Sequence, residues 1–528
     1  MVSITSTDNN PQQPLLASGN VSQGQHYNAA DNETSASDRP WQPSEPSTFK
    51  RSLGVIDAFG IVISIVIGSG VFTSPGAIDT NVPSPGVALV IWVLGGVLAW
   101  TGASTLAELG TAIPGEGGVQ PYLQYIFGDV FGFLAAWTWI VAVMPATLAI
   151  LSIVFVESIY SAIGTTTQSR GLEHKFFSVL VLAVMTGANS ISTRASTRLN
   201  GFFVLTKFIS ILAIAVAGLA VIVLQVSDPQ RDIGGRDWFQ KPWFGNRDTI
   251  DPDGHEIRWS TLSSWEILGH LSAALYGALW AYSGWDKAIY VSEELSSPVR
   301  QLPLSINLAI PTVILSFLIA NAGYYILLPW DVVSTTDSVA VTSIARLLGP
   351  TAGIVAAILI CLVVAGSLLG NSFVASRMIV AAGKRNWFPR IFTLVGRVGV
   401  ASPSDETNPD NARDEDGDES DAPVNALILS AILSTLYILL GDFRALLLFN
   451  GLGEYSFFFL TVVGVIVLRY REPNLHRPYK PSILIPTIFA LVSGFVVARG
   501  SIFAPTQAGV LAILWALGLG LYKGWVAS

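Results

Sequence analysis

Apolar residues dominate this chain in long runs, and short polar connections separate one run from the next. A run of about 18 or more residues with few charges is typical of a transmembrane helix. Window-scale hydropathy predicts such helices at residues 53–79, 85–109, 130–160, 176–191, 199–226, 265–291, 304–330, 351–382, 424–440, 443–470, 483–499 and 507–523. The pattern therefore predicts an all-α membrane protein with twelve transmembrane helices.

The first predicted helix is interrupted near its middle. Residues 64–76 read SIVIGSGVFTSPG, with Gly68, Ser69 and Gly70 inside the apolar run. Glycine disfavours a helix, and hydrocarbon tolerates a broken backbone only where it is buried in protein or lines a cavity. The pattern favours a discontinuous helix whose freed N–H groups face an anion such as a carboxylate. A notch of small residues between packed helices is the alternative.

A second interruption lies in the sixth predicted helix. Residues 276–294 read YGALWAYSGWDKAIYVSEE, in which small residues stand between aromatic ones, and Asp286 and Lys287 lie at membrane depth. If helices one to five and six to ten are related repeats, the two breaks occupy corresponding positions. An inverted repeat of this kind places a substrate site at the midplane, between the two unwound segments. The pairing favours a binding site over a packing notch.

Composition reduces the number of functional classes that fit the chain. Hydrophobic residues make up 51% of the 528 residues and charged residues only 12%, against about a quarter charged in soluble proteins. No basic stripe suggests nucleic-acid binding, no His, Cys and Asp set has metal-ligand spacing, and no nucleophile–base pair suggests an enzyme. We therefore expect no metal, no cofactor and no enzymatic activity. Cys361 is the only cysteine, so the chain forms no internal disulfide.

Charge along the chain predicts its orientation. An even number of helices places both termini on one side, and the connections on that side carry most of the arginine and lysine residues, so we expect cytosolic termini. Residues 1–50 are polar and predict a disordered cytosolic tail ahead of a transporter domain at 51–525. Within that domain, the sequence predicts an acidic cytosolic loop at residues 402–422 and a long extracellular loop at residues 227–264.

Several motifs resemble those of a known family. IGSGVF in the first helix and AELGTAIPGEGG after the second resemble motifs of the amino acid–polyamine–organocation superfamily. The segments ALWAYSGWD, YVSEEL, PVRQLPLSI and KRNWFP resemble the L-type amino acid transporter family, the light chains of heteromeric transporters. The resemblance extends from about residue 53 to residue 523. It implies a LeuT-like fold of five plus five inverted helices, with helices 1 and 6 broken and two helices added. It also implies alternating-access transport of L-amino acids, neutral and in some members also cationic.

The resemblance also implies a binding site. In that family, backbone N–H groups of the first break hold the substrate carboxylate, which here falls to Ser69 and Gly70, with Gly68 allowing close approach. Backbone carbonyls of both breaks hold the substrate ammonium, and the matching residues are Val66, Trp280, Ala281 and Ser283. Helix N-termini attract anions and exposed carbonyls attract cations, so the arrangement suits a zwitterion. Trp280 also matches an aromatic gate above the substrate; a packed core aromatic is the alternative.

Three charged residues at membrane depth are candidates for function, because burying them in hydrocarbon is costly. Lys207 matches a lysine that superfamily members hold against the first break, in place of sodium; a lysine extending to the interface is the alternative. Asp286 matches an aspartate of relatives that also carry cationic substrates; capping the following half-helix or pairing with Lys287 are alternatives. Glu454 lies near mid-membrane, where a buried carboxyl is a candidate proton carrier.

The partners and the mode of transport stay open at the level of sequence. Relatives that pair with a glycoprotein heavy chain carry a cysteine after the third helix, but residues 161–175 contain none, so we expect no disulfide-linked heavy chain. We expect a plasma-membrane protein that contacts lipid and an L-amino acid substrate. Proton symport and strict exchange both fit. An amino acid sensor that binds its ligand without transporting it is the alternative from another functional class.

Overall fold

The computed structural model describes residues 54–113, 118–164, 171–191, 193–228, 233–252, 254–286, 297–393 and 423–526. The predicted tail at 1–50 and the predicted acidic loop at 402–422 lie outside the described residues. So do residues 287–296, which include Lys287 and the end of the sixth predicted helix.

Helices account for most of the described residues. The first seven are α1 (Val55–Val66), α2 (Gly70–Thr73), α3 (Pro75–Thr80), α4 (Pro85–Ala112), α5 (Val119–Phe127), α6 (Asp129–Thr138) and α7 (Met144–Ala162). A π-helical segment, Trp139–Val143, joins α6 to α7. Next follow α8 (Leu172–Ile191), α9 (Thr193–Ser227) and α10 (Asp237–Gln240). A small antiparallel hairpin of β1 (Thr249–Ile250) and β2 (Glu256–Ile257) comes before α11 (Ser264–Ala281) and is a minor departure from the all-α prediction.

The remaining helices form the second part of the described chain. They are α12 (Pro298–Leu327), α13 (Trp330–Ser334), α14 (Val339–Leu348), α15 (Pro350–Lys384), α16 (Val424–Leu440), α17 (Phe443–Arg471), α18 (Leu484–Phe503) and α19 (Pro505–Leu521). A 3₁₀ turn, Arg390–Thr393, follows α15, and a π-helical turn, Tyr522–Val526, follows α19.

Eight helical stretches of the described chain are long and apolar enough to cross a membrane. They are Pro85–Ala112, Asp129–Ala162, Leu205–Ser227, Val299–Leu327, Pro350–Lys384, Phe443–Arg471, Leu484–Phe503 and Pro505–Gly524. Each of the twelve predicted spans contains a described helix, but some are short; α1 has 12 residues because the break ends it, and α16 has 17. The apolar helices indicate an integral membrane protein that crosses the bilayer several times.

Burial separates central from peripheral helices. The stretch that contains α7 is 89% buried over its most apolar window, whereas the stretch that contains α19 is 11% buried. Helix α7 packs against α15, α16, α8 and α17. Because lipid, not water, surrounds a membrane protein, the apolar outer face of α19 is compatible with its position at the periphery.

Local sequence signals set several helix starts. The Asp442 carboxylate accepts from the Ala445 N–H at 2.9 Å at the start of α17. Ser263 and Glu266 form a reciprocal capping box at the start of α11. Such caps satisfy N–H groups that have no acceptor within the helix.

The two ends of the helix bundle are defined by α4. This helix has 28 residues and is about 42 Å long at 1.5 Å per residue. At its start, the Gly86 N–H donates to the Trp243 carbonyl at 2.8 Å. Near its other end, Glu108 is buried with Arg469 and Arg477. We call the end with residues 233–252 and 254–263 the loop end, and the opposite one the Glu108 end.

Candidate functional site

The first break lies where the sequence predicts it. Helix α1 ends at Val66 and α2 begins at Gly70. Between them, the Gly68 N–H turns back onto the Val66 carbonyl at 2.8 Å, and helical bonding resumes with the Phe72 N–H on the Ser69 carbonyl at 3.0 Å. Val66, Ser69 and Gly70 are buried, and Gly68 is half-buried. The peptide groups of the break are thus enclosed by protein.

The second predicted break lies at the end of α11. The helix ends at Ala281, and the Ser283 N–H donates to the Trp280 carbonyl at 3.0 Å. Gly284 has φ +101°, a conformation that disfavours any side chain. Asp286 is buried at 8% exposure, whereas Trp280 and Ser283 are half-buried. Capping of a following half-helix by Asp286 and its pairing with Lys287 fall on residues outside the described ranges.

The two breaks lie directly against each other. A Cβ built on Gly70 would lie 2.3 Å from the Cα of Ala281, and one built on Gly284 would lie 2.9 Å from Cγ2 of Ile65. Real Cβ atoms do not approach other atoms so closely, so only glycine fits at either position without displacement of its neighbours. The structure therefore brings the break between α1 and α2 against the end of α11, two segments that the sequence analysis assigned to separate helices.

The peptide groups at the crossing, the place where the two breaks meet, can form further hydrogen bonds. The carbonyls of Val66 and Trp280 accept backbone bonds from Gly68 and Ser283, and a carbonyl oxygen has a second lone pair. The first N–H groups of a helix lack intrahelical acceptors, and the α2 end carries positive partial charge. One side of the crossing can therefore accept from a cation while the other donates to an anion.

Two hydroxyl groups that sequence reasoning missed lie beside the first break. Thr73 and Ser74 are 2% and 0% exposed. Within the part of the chain that the structure describes, neither hydroxyl has a hydrogen-bond partner. The sequence signal that could have identified them is the presence of hydroxyl residues inside an apolar run.

The charged candidates lie inside the bundle. Lys207 in α9 and Glu454 in α17 are each 7% exposed. Among the described residues, no group of three or more His, Cys, Asp and Glu is placed to hold a metal ion. His270 bonds through Nδ1 with Asn81 Oδ1 at 2.8 Å.

The π-helical segment before α7 has a cause in the sequence. Pro145 has no N–H to give to the Val141 carbonyl four residues earlier. The Tyr437 hydroxyl of α16 donates to that carbonyl at 3.0 Å. In the first turn of α7, the Thr147 hydroxyl bonds with Asn450 of α17 at 3.3 Å. Helix α7 is thus tied to α16 and α17 next to an irregular turn, a type of feature frequent at functional sites.

We expect Tyr437→Phe to lower the free energy of unfolding by about 1 kcal/mol, because the Val141 carbonyl loses a buried donor. Denaturant unfolding of the purified protein in detergent measures this change. Tyr470→Phe is the matched control, since Tyr470 is 78% exposed. Equal stability of the two variants would show that the Tyr437 bond contributes nothing.

Comparison with known proteins places these features in a family. A sequence model of the family described as "Amino acid permease" matches residues 53–520. The b(0,+)-type amino acid transporter 1 of Homo sapiens is 28% identical over 478 residues, covering 90% of this chain and 88% of the relative. The Asc-type amino acid transporter 1 of Mus musculus is 28% identical over 479 residues, covering 91% and 82%.

The large neutral amino acids transporter small subunit 2 of Mus musculus is 27% identical over 473 residues, covering 90% of this chain and 80% of the relative. The resemblance inferred from the motifs is thereby confirmed, and the chain is a transporter-family protein rather than an enzyme. The match covers both helix breaks and nearly all described helices. This protein belongs to the amino acid permease family.

Proposed function

We propose that this protein is a secondary active transporter that moves L-amino acids across a membrane by alternating access. The observation that carries the proposal is the close packing of the two breaks, where Gly70 lies against the Ala281 backbone and Gly284 lies against Ile65. Broken helices that meet inside a membrane bundle form the substrate sites of many transporters. The relatives named above are all called amino acid transporters.

The substrate binds between the breaks. Its carboxylate accepts from the N–H groups of Ser69 and Gly70, and Gly68 leaves room for its approach. Its ammonium donates to backbone carbonyls at four positions, which are Val66, Trp280, Ala281 and Ser283. The half-buried Trp280 indole covers the bound substrate. The positive end of α2 and the carbonyl groups support these roles through their opposite partial charges.

The proposed topology has twelve transmembrane helices in a five-plus-five inverted repeat with two helices added. In this proposal the membrane is the plasma membrane and both termini are cytosolic, so the loop end is extracellular. Arg469, Arg471 and Arg477 support this orientation, because they lie at the Glu108 end, and basic residues favour the cytosolic side. Since residues 161–175 contain no cysteine, no disulfide joins the chain to a heavy chain.

The proposed coupling uses buried charges. Lys207 stabilises the first break and makes sodium unnecessary, and its 7% exposure supports a role inside the protein over one at the interface. Glu454 carries a proton if the protein is a symporter. Strict exchange of one amino acid for another needs no such carrier.

Uptake into proteoliposomes tests the proposal. Radiolabelled leucine, methionine, arginine and glutamate are supplied with and without internal amino acid and with and without a pH gradient. Saturable flux of any label supports transport, and the driving condition separates exchange from symport. Binding without flux of any label would instead identify an amino acid sensor.

We expect Asp286→Asn to reduce arginine uptake about tenfold or more while leucine uptake changes little. A charge-assisted hydrogen bond to a cationic substrate contributes about 1.5–3 kcal/mol, and about 1.4 kcal/mol corresponds to tenfold. Initial rates of both labels in the same proteoliposomes measure the effect. A parallel loss of both would assign Asp286 to the structure of the helix rather than to the substrate.

A further inference from the structure

Arg247 lies between α10 and β1 and joins this segment to two helices of the bundle. Its guanidinium donates to the Asp79 carboxylate of α3 and to the Trp330 carbonyl of α13. The same carboxylate oxygen accepts from the Tyr325 hydroxyl at 2.6 Å. The Asp79 side chain is fully buried, whereas that of Arg247 is 17% exposed. The arginine therefore reaches from the loop end into a buried polar cluster.

The backbone around Arg247 is fixed over the same region. The Arg247 N–H donates to the Pro83 carbonyl at 3.0 Å, and the Gly86 N–H donates to the Trp243 carbonyl at 2.8 Å. Pro83 and Gly86 flank the point where the chain turns from α3 into α4. These bonds hold the segment against that turn, so the guanidinium is placed at the end of α3.

A second arginine holds α3 from another side. Arg444, near the start of α17, donates to the Thr80 hydroxyl at 2.7 Å and to Asp337 at 2.9 Å. Burial raises the pKa of the Asp337 carboxyl, although the Arg444 guanidinium opposes the shift. A Cβ on Gly76 would lie 2.0 Å from the Thr336 carbonyl oxygen, so α3 also packs backbone to backbone on the segment before α14. The last turn of α3 is thus clamped at the loop end.

The clamped end of α3 is continuous with the first break. Ser74, between α2 and α3, has helical backbone angles, and its N–H donates to the Gly70 carbonyl at 2.9 Å. The Ile78 N–H in turn donates to the Ser74 carbonyl at 2.9 Å. Asp79 lies about 14 Å along this helix from Gly70 at 1.5 Å per residue. A displacement of α3 at Asp79 therefore moves the end of α2 that faces the proposed substrate.

The buried ion pairs at the two ends of the bundle differ in how fully they are satisfied. At the Glu108 end, both carboxylate oxygens contact arginine nitrogens, from Arg469 and Arg477. At the loop end, Asp79 Oδ2 and Arg247 Nε have no hydrogen-bond partner among the described residues. A buried ion pair stabilises a structure only when its remaining polar atoms are also satisfied. The loop-end pair is therefore the easier one to separate.

We propose that Arg247 is a positioning residue that latches α3 over the substrate site, and that its release from Asp79 opens the site toward the loop end. This inference rests on the proposed function and adds a gating residue outside the membrane-spanning helices. Arg247 does not touch the substrate. It acts through α3 on the N–H groups that face the substrate carboxylate.

Cysteine accessibility tests the latch. The native Cys361 is replaced by serine, and Ser74→Cys is the reporter, because its hydroxyl is buried and makes no bond that the substitution would break. His255→Cys, at a side chain that is 76% exposed, first identifies the side of the membrane on which the loop end lies. A membrane-impermeant maleimide is then added from that side. We expect Arg247→Gln to raise the labelling rate of the reporter about tenfold.

The matched control is Arg258→Gln in the same loop, because Arg258 pairs with Glu256 on the surface and is 67% exposed. Its labelling rate should equal that of the reporter alone. Asp79→Asn should act like Arg247→Gln, and combining both should add little, since partners in one ion pair are not additive. Arg247→Lys keeps the positive charge but loses the planar guanidinium that donates to two acceptors at once, so it should give an intermediate labelling rate.

An Arg247→Gln protein that elutes as a folded monodisperse species and labels at the control rate would overturn the latch. Additive effects of Arg247→Gln and Asp79→Asn would do the same. Uptake measured on the same preparations separates the two proposals. Labelling that responds to Arg247 without any amino acid flux supports the latch and removes the proposed transport, whereas flux with unresponsive labelling removes only the latch.

Discussion

Gly70→Ala should abolish amino acid uptake. The new Cβ would lie 2.3 Å from the Cα and 3.1 Å from the backbone nitrogen of Ala281, and neither atom belongs to a side chain that can rotate away. The two breaks must separate to admit it, which displaces the N–H groups at the start of α2 from the carbonyls at the end of α11. Overpacking a buried contact costs about 1–3 kcal/mol or more, so the protein is expected to be less stable as well. Initial uptake rates and unfolding midpoints measure both effects.

Gly60→Ala is the matched control for this prediction. It lies in α1, only a few residues before the break, and a Cβ there meets no atom within 4 Å. Its uptake should equal that of the unmodified protein. At Gly68 the nearest atoms to a new Cβ are 4.0 Å away, so Gly68→Ala should fold normally and raise only the KM. Full uptake by Gly70→Ala would show that the breaks need not touch for transport.

Glu108→Gln should lower the free energy of unfolding by about 3–5 kcal/mol, because it leaves two buried guanidinium groups without an anion. The Glu108, Arg469 and Arg477 side chains are 1%, 7% and 4% exposed, so water cannot replace the lost carboxylate. Thermal unfolding and the yield of monodisperse protein in detergent measure the loss.

Glu173→Gln is the control for this substitution, since Glu173 lies exposed in the first turn of α8. Replacing Glu108, Arg469 and Arg477 together by methionine should recover much of the stability, because no buried charge then remains unpaired. A Glu108→Gln protein as stable as the control would mean that water reaches the side chains of Arg469 and Arg477 and replaces the lost carboxylate.

The helix breaks could be predicted because their cause is local. Glycine and serine inside an apolar run weaken the helix at that position whatever surrounds it; the structure interrupts the first helix between Val66 and Gly70 and ends α11 at Ala281. The bounds of α16 and the start of α17 also agree with the hydropathy pattern, since a polar or proline residue precedes each helix. The contact between the breaks followed from the assumed inverted repeat and from the resemblance, because spacing along the chain does not by itself place one helix against another.

The ion pairs could not be predicted, because their partners are distant in sequence. Arg247 and Asp79 are 168 positions apart, and Arg469 and Glu108 are 361 apart. Arg247 reads as one of several charges in a polar loop, and nothing in its neighbourhood distinguishes it from the exposed Arg258. Similarly, Pro145 signals a disturbance in the third span, but the hydroxyl that compensates for it comes from Tyr437 in another helix.

The proposed substrate site where the two breaks meet is made of main-chain groups. The groups assigned to the substrate's carboxylate and ammonium are peptide N–H and carbonyl groups, and every residue except proline carries both. Alanine substitutions at positions other than glycine would leave those groups in place and would report only on the side chains around the site. Informative changes alter the main chain itself, through proline, through a Cβ where glycine stands, or through an ester in place of an amide. In the proposed site, the side chains around the two breaks can therefore vary without removing the groups that bind an α-amino acid.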